Sequence, residues 1–391
     1  MLTKLTQVFI RGKSIDSPTQ EAHQKSARAP KQLVASQWQL MWWKFRKHRL
    51  AMVSLIIITT LYTVAIFAGF FAPKAKDTYH RTYTSAPPQK IYWFDEGRFA
   101  PFVYAYDQET DPLTFLRTYT VNLEEKIPLG FFVKGDSYEI GAKNFPIITS
   151  DRHLFGPVNA EDPFYPFGAD DVGRDMLSRL IYGSQISLSI GLVSVFLSLV
   201  LGIFLGGISA LVGGWVDNVI QRLIEVIKSV PDIPLWMALS TAVPPRWDPV
   251  YVYFGITVVL SLIGWTGMAR VVRGKFLSLR EEEFIVSAQL DGVSRMRLIF
   301  RHLIPSFMSH IIASATLAIP GMILGESALS FIGIGLRDPV VSWGVMLNDA
   351  LNIAAIAKYP WLMLPGGALV ITVLAFNFLG DGLRDAADPY H

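Results

Sequence analysis

The residues that carry most enzyme chemistry are sparse in this 391-residue chain, and their spacing is uninformative. Cysteine is absent, so disulfide frameworks and thiolate metal sites are excluded. The seven histidines are scattered, with no HExxH or comparable ligand spacing, which leaves a metal enzyme without a ligand set. Gly12-Lys13-Ser14 has the ending of a phosphate-binding loop, but Gln7 stands where the GxxxxGK[ST] pattern requires its first glycine. Gly333-x-Gly335 lacks a third glycine and a following βαβ unit, so it is a turn and not a nucleotide loop. Gly168 to Asp175 carries two acidic residues ahead of Gly173-Arg174-Asp175. It lacks the twelve-residue calcium-loop pattern and reads as a turn opening a helix.

Two carboxylates in apolar surroundings remain. Asp232 lies between Pro231 and Pro234, and Glu326 has apolar neighbours. Neither belongs to a Ser–His pair or a carboxylate dyad, so catalysis, a bound metal and a bound cofactor are not expected of this chain. Asp232 is expected either to face a cavity on a pathway or to sit in solvent at a kink. Glu326 is expected to satisfy backbone groups freed where its helix gives way to the glycine-rich run before Leu336, ahead of a pathway contact.

The elements that hold these residues are membrane spans. Hydrophobic residues make up 51% of the chain and charged ones only 17%, against about a quarter in a soluble domain. A helix needs roughly 20 apolar residues to cross the hydrocarbon core. Leu50 to Phe71 is such a run and exceeds the usual ~7–15 apolar residues of a signal peptide. Further spans are expected at Ile186 to Leu211, Val219 to Val243 (interrupted by Pro231 and Pro234), Tyr251 to Ala269, about His310 to Ile334, and Trp361 to Phe378. The expected fold is therefore an all-α polytopic membrane protein with about six transmembrane helices.

Lys44, Arg46, Lys47 and Arg49 precede the first span, and Arg270 to Arg301 is rich in Arg after the fourth. Positive residues near span ends stay inside, so both termini are expected in the cytoplasm. Trp42-Trp43 beside Lys44 reads as an interfacial anchor. The expected division is a cytoplasmic tail at 1–49, a first span at 50–72, and an extracytoplasmic insertion at 73–180. A five-helix core at 181–380 and a tail at 381–391 complete it. The insertion is acidic and aromatic, and is expected to be small and of mixed or irregular structure, with β character around Ile127 to Ile140. It is expected to dock a partner or cap a channel. Residues 1 to about 30 read as a flexible tail.

The most informative stretch is the cytoplasmic loop 281–305, EEEFIVSAQLDGVSRMRLIFRHLIP. Phe284, Ile285, Ala288, Leu290 and Val293 form an apolar stripe at helical spacing, and Gly292 breaks it. A short helix with an exposed apolar face beside a membrane needs a lipid or protein partner.

This stretch resembles the EAA loop of ABC-importer permeases. Val286-Ser287-Ala288 stand at the EAA positions, Gly292 at the glycine, and His302-Leu303-Ile304-Pro305 at the end. The spacing is kept, while Val286 replaces the acidic residue and Ser287 the first alanine. Pro166 to Gly191, Glu326 to Leu336 and Phe376 to Tyr390 narrow the resemblance to the C-type subunit of dipeptide, oligopeptide and nickel importers. The long insertion departs from the common short form and is similar in position to that of Yej-type peptide permeases.

The resemblance implies a type I importer fold and a set of partners. These are a homologous B-type permease, two ABC ATPases that use ATP and magnesium, an extracytoplasmic substrate-binding protein and membrane lipid; nucleic acid is not among them. It implies that Phe284, Ile285, Val286, Ser287, Ala288, Gln289, Leu290, Asp291, Gly292, Val293 and Ser294 form the helix that docks the ATPase. The cargo would be a peptide or related small solute. The alternative is a transporter or channel driven by an ion gradient, which often shows inverted repeats; no internal repeat is evident here.

Overall fold

The computed structural model describes residues 36–387 apart from 114–116, 143–144, 245 and 352. The expected N-terminal tail, and Pro389 and Tyr390 of the C-terminal motif, lie outside the described residues.

Ser36 opens the first helix, α1 (Gln37–Phe45), through a capping box with Gln39. Trp42 and Trp43 lie on its exposed face, while Phe45 turns inward. Helix α2 (Arg49–Ile66) follows, with the His48 ring accepting the Ala51 amide at its start. After the insertion come α3 (Met176–Val212), α4 (Gly214–Lys228), α5 (Asp232–Ser240), α6 (Pro249–Leu279) and α7 (Glu283–Leu290). Helices α8 (Met308–Phe331), α9 (Trp343–Asn348) and α10 (Leu364–Ala387) complete the described chain.

Among the described residues, five helical segments are long and apolar enough to cross a membrane: α2, α3, α6, α8 and the stretch Pro360–Ala387 that contains α10. The third predicted span is instead two pieces, α4 and α5. Pro231 lacks the N–H an uninterrupted helix would need and stands as the N-cap of α5.

Packing shows that this broken pair still makes a crossing. Helices α3 and α6 run parallel: Ser189 meets Tyr253, Ser194 meets Thr257, Ser198 meets Ser261, and Gly202 and Gly206 meet Met268 and Ala269. Two parallel helices joined by one segment require that segment to return across the layer. The α4–α5 pair does so in register with α6. Asp217 takes Arg273 Nε at 2.7 Å, Ile224 packs with Trp265 and Ala269, and Val243 meets Gly255. Six crossings result, five continuous and one broken.

Glycines set the closest approach. A Cβ at Gly206 would strike the Ala269 backbone, and one at Gly191 would strike Ile323. Helix α8 runs antiparallel to α3, and α10 brings Gly380 against Leu317 and Gly382 against Ala51. The starts of α1 and α2, the end of α10 and the 280–307 segment therefore share one face of the bundle.

On the opposite face the insertion is more regular than its sequence suggests. Four antiparallel strands, β1 (Tyr92–Asp95), β2 (Arg98–Thr110), β3 (Arg117–Ala142) and β4 (Phe145–Pro157), form a meander in sequential order. Val103, Ala105, Ile127, Leu129 and Phe164 make its small core. Its β3–β4 half seats directly on the end of α2. Tyr138 covers Gly69, and His153 Nδ1 lies 2.6 Å from the Ala72 carbonyl oxygen.

Candidate functional site

Three places hold the residues singled out by sequence. The first is α7 and the turn after it. Ile285 and Ala288 are buried among Val272, Phe276, Leu298, Ile299 and Leu303, so the helix is seated firmly on the ends of α6 and the following segment. Phe284, Val286 and Leu290 are exposed instead, Leu290 at 83%. The predicted stripe thus divides: one edge anchors the helix and another is left free. Ser287, Gln289, Asp291, Gly292 and Ser294 are also exposed.

Gly292 ends this helix for a definite reason. Its φ is +73°, a conformation that L side chains rarely adopt. The Gly292 amide donates to the Gln289 carbonyl at 3.0 Å and the Val293 amide to the Ala288 carbonyl at 3.1 Å. These are the paired bonds of a Schellman cap, with Val293 and Ala288 in the same apolar cluster. The cap turns the chain sharply and presents Leu290 at the corner.

The second place is Glu326, fully buried in α8. Its Oε1 accepts the hydroxyls of Ser330 and Ser342, both at 2.8 Å; Oε2 accepts those of Ser187 at 3.4 Å and Ser327 at 3.3 Å. Each outer serine also accepts a backbone amide: Trp343 on Ser187, Val345 on Ser342, Leu336 on Ser330. The carboxylate therefore ties α3, α8 and the segment leading into α9 together. Through these serines the carboxylate is linked to the backbone amides of Leu336, Trp343 and Val345. The sequence could show Ser327 and Ser330 nearby but not the partners brought from Ser187 and Ser342.

Asp232 is the third. It opens α5 at the break and accepts Lys228 Nζ at 3.1 Å across the gap. Arg222 and Glu225 pair similarly at 2.7 Å on the same exposed side of α4. Asp232 stands four residues beyond Lys228, the last residue of α4, inside the broken crossing. That position matters, because charges inside a membrane avoid lipid and face a cavity or a protein partner.

Sequence reasoning passed over a fourth cluster, which was taken only as a turn. Asp170 accepts Arg174 Nε at 2.6 Å and Arg179 Nη1 at 2.7 Å, while Arg174 Nη1 donates to Asp338 at 2.7 Å. The clasp joins the start of α3 to the segment between α8 and α9. Asp175 caps α3 through the Ser178 amide at 2.7 Å, as the helix-start reading requires. Asp349 stands close to Asp170 and Asp171. Burial, reinforced by the Asp171 carboxylate, pushes the Asp349 carboxyl up to about 6, and burial pushes Asp175 up to about 6 as well.

The sign of the pH effect follows. A carboxyl raised on folding disfavours the folded state when ionised, so its burden lifts as pH falls through the folded value. The melting temperature of the detergent-solubilised protein is expected to rise by a few degrees between about pH 7.5 and pH 5.5. Asp349→Asn should melt above wild type at the higher pH, by a margin that narrows at the lower and closes only as pH approaches the ordinary carboxyl value of about 4. A flat wild-type profile would count against the raised carboxyls of Asp349 and Asp175.

A bundle of six crossings with a seated amphipathic helix on one face is that of a polytopic membrane protein. The comparisons with known proteins specify which kind. Residues 198–390 match the family of binding-protein-dependent transport system inner membrane components, and residues 36–88 match the N-terminal transmembrane domain of oligopeptide transport permease C. The oligopeptide transport system permease protein OppC of Bacillus subtilis is 30% identical over 355 residues, covering 90% of each chain. Its namesake from Escherichia coli K12 is 42% identical over 229 residues, 57% of this chain and 72% of that one. A chain of the MetNI methionine ABC transporter, in an inward-facing form, superposes with a TM-score of 0.42 at 19% identity, over 54% of this chain and 97% of that one. The chain belongs to the binding-protein-dependent transport permease family, as a C-type permease subunit of an ATP-binding-cassette importer.

Proposed function

We propose that this subunit forms half of an import path for peptides, paired with a B-type permease, fed by an extracytoplasmic binding protein and driven by two separate ATPases. The observation that carries the coupling part is α7: a helix anchored by Ile285 and Ala288 with Phe284, Val286 and Leu290 left bare. An amphipathic helix with a free apolar edge fits a groove in a partner protein. ATP and magnesium belong to that partner, and this chain supplies a lever rather than a catalyst. Closure of the ATPase pair moves α7, and the firm seat of α7 on α6 passes the movement into the bundle.

The α7 face is placed in the cytoplasm. Arg270, Arg273, Lys275 and Arg280 flank it, and Lys44, Arg46 and Lys47 precede the first crossing on the same face of the bundle. The sheet is then outside, where the binding protein delivers cargo. Its position supports a docking or capping role.

The exposed charged side of α4–α5 is proposed to face water in the path, with Lys228 and Asp232 at its deepest point. A peptide carries a charge of each sign at its termini, and a paired but solvated Lys and Asp offers a counterpart to both.

The test is uptake of a labelled oligopeptide into proteoliposomes holding this subunit, its partner permease, the ATPases and the binding protein. Uptake is expected to require ATP and to survive collapse of proton and sodium gradients. Uptake driven by an imposed gradient without ATP would move the gradient-driven alternative to the front. In the same vesicles, Asp232→Cys should react with a membrane-impermeant thiol reagent and be shielded by excess peptide. A site inert to the reagent would remove Asp232 from the path.

A further inference from the structure

We propose that the aromatic edge of the extracytoplasmic sheet rests on the outer leaflet of the membrane, so that the insertion is held by lipid as well as by the end of α2. Three independent observations point to this. The first is an aromatic track that starts at the membrane. Phe132 packs on Phe70, one turn beyond the end of α2, with ring centroids 6.1 Å apart. Its neighbour Phe131 meets Phe155 at 5.0 Å, Phe155 stacks on Trp93 at 5.7 Å, and Trp93 leads to Phe99 at 6.4 Å and thence to Phe94. Two runs of rings, Phe70–Phe132 and Phe131 through Phe155 and Trp93 to Phe94, thus meet at the adjacent residues Phe131 and Phe132 just beyond the first span.

The second observation is exposure. Phe94 is 66% exposed and Phe132 60%, and Trp93, Phe99 and Phe131 are exposed as well. A patch of this kind on a soluble surface marks an interaction site. Trp and other ring residues collect at membrane–water boundaries, where a flat apolar body suits the headgroup layer. Basic residues flank Phe132: exposed Lys134, which also lies 3.4 Å from Asp151, and Arg152, which donates to the Phe132 carbonyl at 3.1 Å. Arg98 opens β2 beside Phe99, opposite Asp95 of β1.

The third is strain. Phe132 has a φ of +55°, a conformation that is unfavourable for a bulky side chain. Strain of this sort persists where the surrounding structure and a function hold it. Here it turns a phenyl ring outward beside Phe70 instead of into the small core of the sheet, where burial alone would place it.

A lipid-seated sheet fixes the height and tilt of the insertion above the path. The rest of the sheet, including the end of β2 and the exposed Leu113 beyond it, stays in water and free for a protein partner.

Because the chain contains no cysteine, single cysteines can be labelled cleanly. Phe94→Cys, Phe99→Cys and Phe132→Cys would each carry an environment-sensitive fluorophore, with Leu113→Cys as the water-exposed control, in nanodiscs containing the full chain. Lipids spin-labelled near the headgroup are expected to quench the three patch labels several-fold more than the control, and aqueous iodide to quench them less. Patch labels that match Leu113→Cys in both quenchers would overturn the proposal. So would labels shielded only on addition of the substrate-binding protein, which would make the patch a protein dock. Neither readout depends on transport, so failure here leaves the import reading intact.

Discussion

Glu326→Ala is expected to lose the link between the bundle and its outer segment, melting many degrees below wild type, while Glu326→Gln folds and transports almost normally. The argument lies in what each serine can do without its acceptor. Ser187, Ser327 and Ser330 sit within helices and can turn their hydroxyls to the carbonyl one turn back, which satisfies them locally. Ser342 is the N-cap of α9, with its oxygen already committed to the Val345 amide and no turn behind it. Alanine therefore leaves one hydroxyl orphaned and a cavity, and it severs the link from α8 to both α3 and the segment before α9. Together these cost roughly 2–4 kcal/mol. Glutamine keeps the shape and one carbonyl acceptor for Ser330 and Ser342, while its amide donates to Ser187 and Ser327. Thermal melting in detergent and peptide uptake in proteoliposomes separate the roles. If Glu326→Gln melts like wild type yet abolishes uptake, the carboxylate serves the path and not the scaffold.

This contrast also shows where sequence patterns are informative and where they stop. Hydropathy finds spans because one helix must bury its own backbone bonds in lipid, and that requirement is local. It located α2, α3, α6, α8 and α10 for this reason. It could not decide the fate of Val219 to Val243, since Pro231 and Pro234 break the helix and charges interrupt the run. The parallel packing of α3 and α6, a property of residues far apart in sequence, makes the broken pair a crossing.

The sheet was under-read for a related reason. Strand detection relies on alternation, but β2 buries Phe102 and Val103 in succession and carries a bulge between Tyr104 and Ala105. Pro101 and Pro128 lie within strands and read as breaks. The clasp around Asp170 was visible as a string of charges, yet its meaning depends on Asp338, which the fold brings from the other end of α8. Gly292 is the opposite case. A helix stop with glycine just past the last turn is a local signal, and the cap found there is the one such a glycine makes.

Leu290→Lys is the change expected to cost most in partner binding and least in folding. Leu290 contributes almost nothing to the subunit itself, being 83% exposed at the corner of the Schellman turn. It is also the last residue of α7, where a cation interacts favourably with the helix dipole. The melting temperature should therefore stay at the wild-type value or rise slightly. Against a partner groove the same change removes a buried aliphatic side chain, worth about 1.5–3 kcal/mol, and leaves an ammonium to desolvate. Retention of the ATPases through a detergent pull-down should fall at least ~tenfold, since 1.4 kcal/mol is a factor of ten in affinity. Ile285→Lys is the necessary contrast, because Ile285 is fully buried beneath the helix and its loss should unseat α7 altogether. A normal pull-down with Leu290→Lys, alongside a failed one with Ile285→Lys, would move the contact to another edge of α7, with Phe284 and Val286 the first to try. If both variants retain the ATPases, the helix is not the lever and the coupling must run through another part of this face.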